Sequence, residues 1–251
     1  MKTINRLVVV MVAAMALLMF SATVYASKMD SGIESSAKNS YVFKVYLQGD
    51  DIKVQSKDGA VTLTGTVADS HHKALAQETV ADLPGVKSVD NKLAIKGPTP
   101  LENSDAWLTA KVKTMLLFHR NVSAMTDVDT TNGIVTLKGK ATSQAQMDLT
   151  TELVKDVDGV KGVKNEMTIG KIAKKKQTVG GKIDDASITA QVKMTLLYHR
   201  STSAINTSVT TKRGVVTLTG KAKNAAEKDL AAKYANDVNG VKSVNNQMTI
   251  G

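Results

Sequence analysis

The spacing of apolar residues in this chain changes in a fixed order, and it does so three times. In the last third, Ile188, Val192 and Leu196 recur every fourth residue behind Asp185, which predicts a helix capped by that aspartate. Val209 then leads to a turn at Arg213-Gly214, and Val216 and Leu218 alternate with threonines, the mark of a β-hairpin. Ala226, Leu230, Tyr234 and Val238 follow at helical spacing up to Gly240, a glycine placed to stop a second helix. Val244, Met248 and Ile250 share one face of a closing strand. The middle third opens alike, with Leu108, Val112 and Leu116 behind Asp105. In the first third Ile33, Ala37 and Tyr41 keep the four-residue spacing, although IESSAKNSYVFKVYL shares little wording with the other two openings. The order α-β-β-α-β predicts an α/β (α+β) fold: three tandem small domains, each a three-stranded mixed sheet with two helices packed on one face.

The wording repeats with the pattern. DGAVTLTGTV from Asp58, NGIVTLKGKA from Asn132 and RGVVTLTGKA from Arg213 are one segment, as are GVKSVDNKLAI from Gly85, GVKGVKNEMTI from Gly159 and GVKSVNNQMTI from Gly240. Copies are offset by about 74 and then about 81 positions at both landmarks, so a whole unit is repeated. A unit of roughly 65 residues is near the lower size for a self-folding domain, which favours three small cores over one large one. The expected division is a leader over 1–26, repeats over 27–97, 105–170 and 185–251, a proline-containing linker over 98–104 and a Lys/Gly-rich linker over 171–184.

The first 26 residues have the character of a secretory signal: Lys2 and Arg6, an apolar run from Leu7 to Phe20, and an A-x-A-like site ending at Ala26. Export to the periplasm with cleavage after Ala26 is the expectation. With no cysteine in the sequence, neither a lipobox, a disulfide nor thiol chemistry is expected. The net charge of +10 loses only two positive charges with the leader. An exported basic chain is drawn to anionic phospholipid and other envelope surfaces; nucleic acid would suit the charge but not the compartment.

A repeated α-β-β-α-β unit with G-x-V-x-L-x-G in its middle and G-V-x-x-V-x-N-x-[LM]-x-I at its end resembles the BON domain (bacterial OsmY and nodulation), from about Ile33 onward. The resemblance implies a protein similar to the osmotically inducible periplasmic proteins, whose BON repeats are regarded as non-catalytic modules binding phospholipid or other envelope components under osmotic or envelope stress. Such proteins usually carry two repeats; this chain carries three.

Several residues invite a chemical reading. LLFHR ends at Arg120 and LLYHR at Arg200, a His-Arg pair twice at the end of an amphipathic run. Counting by the repeat offset, the first unit has Val45 and Tyr46 there, so His119 and His199 read as half-buried helix endings with each imidazole bonded to a last-turn carbonyl. Gly59, Gly133 and Gly214 sit in the hairpin turn, Gly65, Gly139 and Gly220 close the strand motif, and Gly85, Gly159 and Gly240 end the second helix; none forms a phosphate-binding loop. Asn91, Asn165 and Asn246 recur on the last strand as amides expected to satisfy neighbouring backbone. No metal-ligand spacing and no nucleophile, base and orienting acid stand together, so no enzyme activity, metal, cofactor or small-molecule substrate is expected.

Trp107, Lys111 and Phe118 share a second face of the middle unit's first helix, composed for a lipid headgroup boundary or for covering an adjacent repeat. Leu117 and Leu197 also point off the core stripe: either the helices end early or these leucines pack elsewhere. Lys174, Lys175 and Lys176 in the second linker form a basic cluster suited to an anionic surface, or simply a solvated linker. Peripheral binding of anionic phospholipid, with envelope proteins as further partners, is the leading expectation. A chaperone-like or scaffold role toward exposed apolar protein segments is the alternative.

Overall fold

The computed structural model describes residues 27–122, 126–170, 182–202 and 206–251. The leader over 1–26 and Lys174, Lys175 and Lys176 fall outside them. Repeat 1 opens with helix α1, residues 27–39, followed by a short π-helical stretch Val42–Tyr46. It continues with β1 (Asp51–Lys57), β2 (Ala60–Val67), α2 (Ser70–Ala81), β3 (Ser88–Asn91) and β4 (Ala94–Ile95). Repeat 2 has α3 (Asp105–Phe118), β5 (Thr126–Thr131), β6 (Ile134–Ala141), α4 (Gln144–Lys155), β7 (Gly162–Asn165) and β8 (Thr168–Ile169). Repeat 3 has α5 (Asp185–Tyr198), β9 (Thr207–Lys212), β10 (Val215–Ala222), α6 (Ala225–Asp237), β11 (Ser243–Asn246) and β12 (Thr249–Ile250).

Each sheet is mixed. The hairpin β9-β10 is antiparallel, with Val215 opposite Lys212, and β11 and β12 both run parallel to β10. These two short pieces are one edge strand broken at an asparagine. Asn246 Nδ2 donates to the Lys228 carbonyl of α6 at 2.8 Å, and its Oδ1 accepts from Met248 N at 3.2 Å. Asn91 and Asn165 do the same toward Lys73 and Met147. The alternation carries through the break: Leu93, Met167 and Met248 are buried, and Ile250 stays on the face of its buried register partner Ala222, although at the sheet edge it is 58% exposed. The second helix is rotated from its predicted stripe: α6 buries Glu227, Ala231, Tyr234 and Ala235, while Ala226 is exposed.

The first helices differ from expectation at their caps. Ser104 and Asp184, one residue earlier than predicted, accept from Trp107 N and Ser187 N. Asp105 and Asp185 instead reach across to the hairpin turn of their own repeat. Asp185 accepts from Arg213 N at 2.6 Å and Gly214 N at 2.8 Å, and Asp105 from Asn132 N and Gly133 N at 2.7 and 2.8 Å. Asp30 of α1 accepts from Asp58 N, Gly59 N and Ser56 Oγ, and these bonds hold its carboxyl below the usual range. The turn residues Asp58, Asn132 and Arg213 all have φ near +55°, and the helix carboxylate satisfies the two amides that this strained turn turns toward it. Gly220 requires its lack of side chain: at φ +121° a Cβ would lie 1.8 Å from the Asn206 carbonyl oxygen across the hairpin.

Candidate functional site

His119 and His199 end their helices, as the sequence indicates, but their imidazoles do not bond to the last turn. They cross to the neighbouring repeat. His119 Nδ1 lies 2.7 Å from Asp237 of repeat 3, and His199 Nδ1 lies 3.2 Å from Asp156 of repeat 2. The backbones clasp reciprocally. Arg120 N donates to Asp237 O (3.0 Å) and Asn239 N to Phe118 O (2.8 Å), while Arg200 N donates to Asp156 O and Asp158 N to Tyr198 O, both at 2.8 Å. One guanidinium nitrogen of Arg120 donates to the carbonyls of Asn236, Val238 and Val241, and that of Arg200 to those of Val157 and Val160. The two histidines meet edge to face near the centre, 5.9 Å apart, and His199 stacks on Tyr234 at 4.0 Å. Repeats 2 and 3 therefore pair as a homodimer does, each using the same surface on the other.

The seam is dry. His119 and His199 are 3% and 1% exposed, and burial pushes the His199 pKa down although Asp156 opposes that shift. Asp156 accepts from Tyr234 Oη (2.7 Å) and from Ser201 Oγ, and together with His199 these bonds outweigh its burial and keep its carboxyl ionised below the usual range. A readable signal foretold which copies pair. Where Asp158 and Asn239 donate their backbone N–H across the seam, repeat 1 has Pro84, which has no N–H to give.

Repeat 1 sits on this pair by different means. Tyr46, the residue that replaces the seam arginine, packs edge-on against Phe118 at 5.5 Å and donates its hydroxyl to Leu117 O at 3.1 Å. The π-helical stretch presents free amides: Tyr41 N donates to Asp184 and Val42 N to Ser187 Oγ. On the other side α2 packs against α5, with Lys193 bonded to Asp82 at 2.9 Å and His71 buried. His71 Nε2 faces the Trp107 carbonyl at 3.2 Å and so carries the proton; Nδ1 then accepts from Tyr198 Oη at 2.8 Å.

The expected headgroup face of α3 is consequently not a free face. Phe118 is fully buried beneath Tyr46, and Lys111 is 4% exposed, its ammonium donating to Asp158 O and lying over the rings of Trp107 and Tyr198. Trp107, half-buried, tilts against His71 of repeat 1. These residues hold repeats together because the helix that carries them is central to the three-domain body. Helices α3 and α5 do not end early, and Leu117 and Leu197 are half exposed. Leu197 lines a cleft of roughly 840 Å³ where all three repeats meet, together with Ala74, Leu101, Trp107 and Tyr198. A second cleft, about 470 Å³, opens between α4 and α6 beside Asp156 and Asp237. Among the described residues no three His, Asp or Glu side chains are grouped to hold a metal.

The outward faces of the sheets differ in charge. In repeat 2, β5 carries Asp127 and Asp129, and Glu166 beside β7 pairs with Lys164 at 2.6 Å and Lys138 at 3.9 Å. In repeat 1, Asp51 and Asp90 lie on the sheet, and Asp90 pairs with Lys92. In repeat 3, strands β9 to β12 contain no acidic residue, and Lys212, Arg213, Lys221 and Lys242 are exposed. No helix of the described residues is long and apolar enough to cross a membrane.

Comparison with known proteins identifies the family. Osmotically-inducible protein Y of Escherichia coli (strain K12) is 31% identical over 198 residues, covering 78% of this chain and 96% of that protein. Outer membrane lipoprotein DolP of Haemophilus influenzae is 32% identical over 116 residues, 45% of this chain and 59% of its own length. Among solved structures, CdsD, a structural protein of the type III secretion system of Chlamydia trachomatis, aligns over 84% of this chain and 90% of that chain at 18% identity and a TM-score of 0.24. The family model of the BON domain matches residues 29–97, 104–171 and 184–251, each match spanning one α-β-β-α-β unit with its asparagine-broken edge strand. With three such units over most of its length, the chain belongs to the BON-domain family.

Proposed function

We propose that this protein is a non-catalytic component of the bacterial periplasm that binds anionic phospholipid or another anionic envelope component in osmotic or envelope stress. The observation that carries the proposal is where the charges go. Asp30, Asp105 and Asp185 are engaged by hairpin amides, Asp156 and Asp237 by the seam histidines, and Asp82 by Lys193. Lysines such as Lys53, Lys87, Lys140, Lys161, Lys221 and Lys242 stand exposed on the sheet side. Cations so placed are attracted to an anionic surface, and several weak contacts made together give useful avidity. The names of the relatives, one osmotically inducible and one an outer membrane lipoprotein, support the same compartment and stress.

The test is sedimentation of the full chain with phosphatidylglycerol-containing vesicles against phosphatidylcholine vesicles. Binding to the former at low salt, lost on raising salt, is the expected result; equal or no binding overturns the proposal. A second reading, capture of exposed apolar protein segments, is favoured by the three-way cleft with Leu101 82% and Leu197 55% exposed. It predicts suppression of client-protein aggregation without vesicles, reduced by Leu197→Ser.

A further inference from the structure

We infer that the outward sheet face of repeat 3, β9 through β12, is the surface that lies against an anionic bilayer, with repeats 1 and 2 holding it but not sharing the contact. The inference rests on the anionic-lipid reading above and adds which of three similar faces does the binding. Three observations carry it.

The first is charge. Lys212 ends β9, Lys221 lies on β10, Arg213 sits in the turn between them and Lys242 stands just before β11. Among the described residues, no carboxylate lies within ion-pair distance of any of these four, whereas Lys138 and Lys164 of repeat 2 share Glu166, Lys113 faces Asp127 at 3.9 Å, and Lys92 of repeat 1 holds Asp90 at 2.8 Å. Asp185, the acid that meets the hairpin turn, is half-buried and already accepts from Arg213 N and Gly214 N. The other acids of repeat 3 lie on α6 and at the α5 cap, on the far side of the sheet. Basic side chains without internal partners are free to engage lipid phosphates, and each contributes independently near a charged surface.

The second is shape and polarity. Ser208, Thr210, Thr219, Ser243 and Asn245 are exposed between the cations, so the face offers a flat array of short hydrogen-bonding groups at strand spacing. Val215, 40% exposed, stands on the same face as Lys221 and Thr219 as an apolar group able to enter the interfacial layer. A single small anion needs a pocket of converging donors. Here the donors are spread over a sheet, which fits an extended polyanionic plane better than a soluble anion.

The third is access. The joints between repeats use helix ends and the helix side of the sheets, so neither the seam nor the seat of repeat 1 covers this face.

The experiment compares two triple variants of the full chain. One carries Lys212→Gln, Lys221→Gln and Lys242→Gln; the other carries Lys138→Gln, Lys140→Gln and Lys164→Gln on the corresponding sheet of repeat 2. All six lysines are exposed, so both variants are expected to fold, with circular dichroism and thermal melting as the check. Affinity for phosphatidylglycerol-containing vesicles should fall on the order of 100-fold for the repeat 3 variant, and only a fewfold for the repeat 2 variant. Because the sequence contains no cysteine, a single Thr219→Cys or Thr136→Cys carries an environment-sensitive fluorophore at one place. The Thr219 probe should shift to the blue on these vesicles and the Thr136 probe should not. Equal losses in the two variants, or a shift confined to Thr136, overturn the assignment of the face while leaving the anionic-lipid reading intact. Failure of the unaltered chain to distinguish anionic from neutral vesicles overturns both.

Discussion

The joint between repeats 2 and 3 and the joint that seats repeat 1 unite units of one family by opposite means. The first is reciprocal: the same histidine, arginine and aspartate positions are used on both sides, with the same two backbone bonds made twice. The second is one-sided: a π-helical stretch and two tyrosines dock on helix ends that are not their own counterparts, and a lysine-carboxylate pair closes the far side. A two-fold surface is complete once two copies have used it. A third copy has to find another, and the divergence of the first unit's opening helix is where that second solution is written.

The largest effect that separates the two joints is expected at their equivalent aspartates. Asp156→Ala removes the shared partner of Tyr234 Oη, Ser201 Oγ and the buried His199 imidazole, and should lower unfolding free energy by about 2–3 kcal/mol in urea titration. A loss below about 1 kcal/mol would show that the seam is not the tighter joint.

Acidification should weaken both joints, by a smaller amount. Burial holds His199 at the seam and His71 at the seat below the ordinary histidine value. His199 faces Asp156, His119, Tyr234 and, farther off, Lys111; His71 faces Tyr198, Trp107, Asp69, His72 and Lys111. In the unfolded chain both take a proton near pH 6.5, while in the folded chain they do not until the pH is lower. Below about 6.5 the unfolded state binds more protons, so stability is full above that value and falls as the pH drops, by at most about 1.4 kcal/mol per pH unit for each histidine. Denaturation midpoints measured from pH 8 downward check this, and His199→Gln and His71→Gln should each flatten part of the slope. A midpoint that rises on acidification would show that the imidazoles gain more from the nearby carboxylates than they lose to burial.

The smallest effect belongs to the counterpart in repeat 1. Asp82→Ala removes the carboxylate paired with Lys193, but the pair is partly exposed and Glu78 stands 3.3 Å from the same ammonium, so a loss under about 1 kcal/mol is expected. If Asp82 and Asp156 prove equally costly, the distinction between a reciprocal and a one-sided joint has no energetic content.

Much of each unit was legible because its signals are local. The alternation of Val216 and Leu218, the stop at Gly240 and the recurrence of Asn246 depend on neighbours a few residues away, and all three repeats obey them. Asp105 and Asp185 read as caps in the sequence because a cap and a hairpin-turn acceptor look alike there; only the third dimension decides which amides an aspartate meets. The aromatic and lysine stripe of α3 is amphipathic in the way a membrane-facing helix is, and the pattern does not tell lipid from a neighbouring repeat. His119 and Asp237 lie far apart in sequence, and no periodicity links them. The acid-free strands of repeat 3 were visible from the start, but their meaning depended on knowing which residues share an open sheet face.

Pro84 has a consequence beyond repeat 1. A chain of three interchangeable pairing units would satisfy two of them and leave the third unmatched, ready to recruit the spare unit of another molecule. By withholding one amide, and with Val45 and Tyr46 in place of His-Arg, the first repeat is made deaf to that invitation. The proline thus sets at two the number of copies in this chain that share the reciprocal seam.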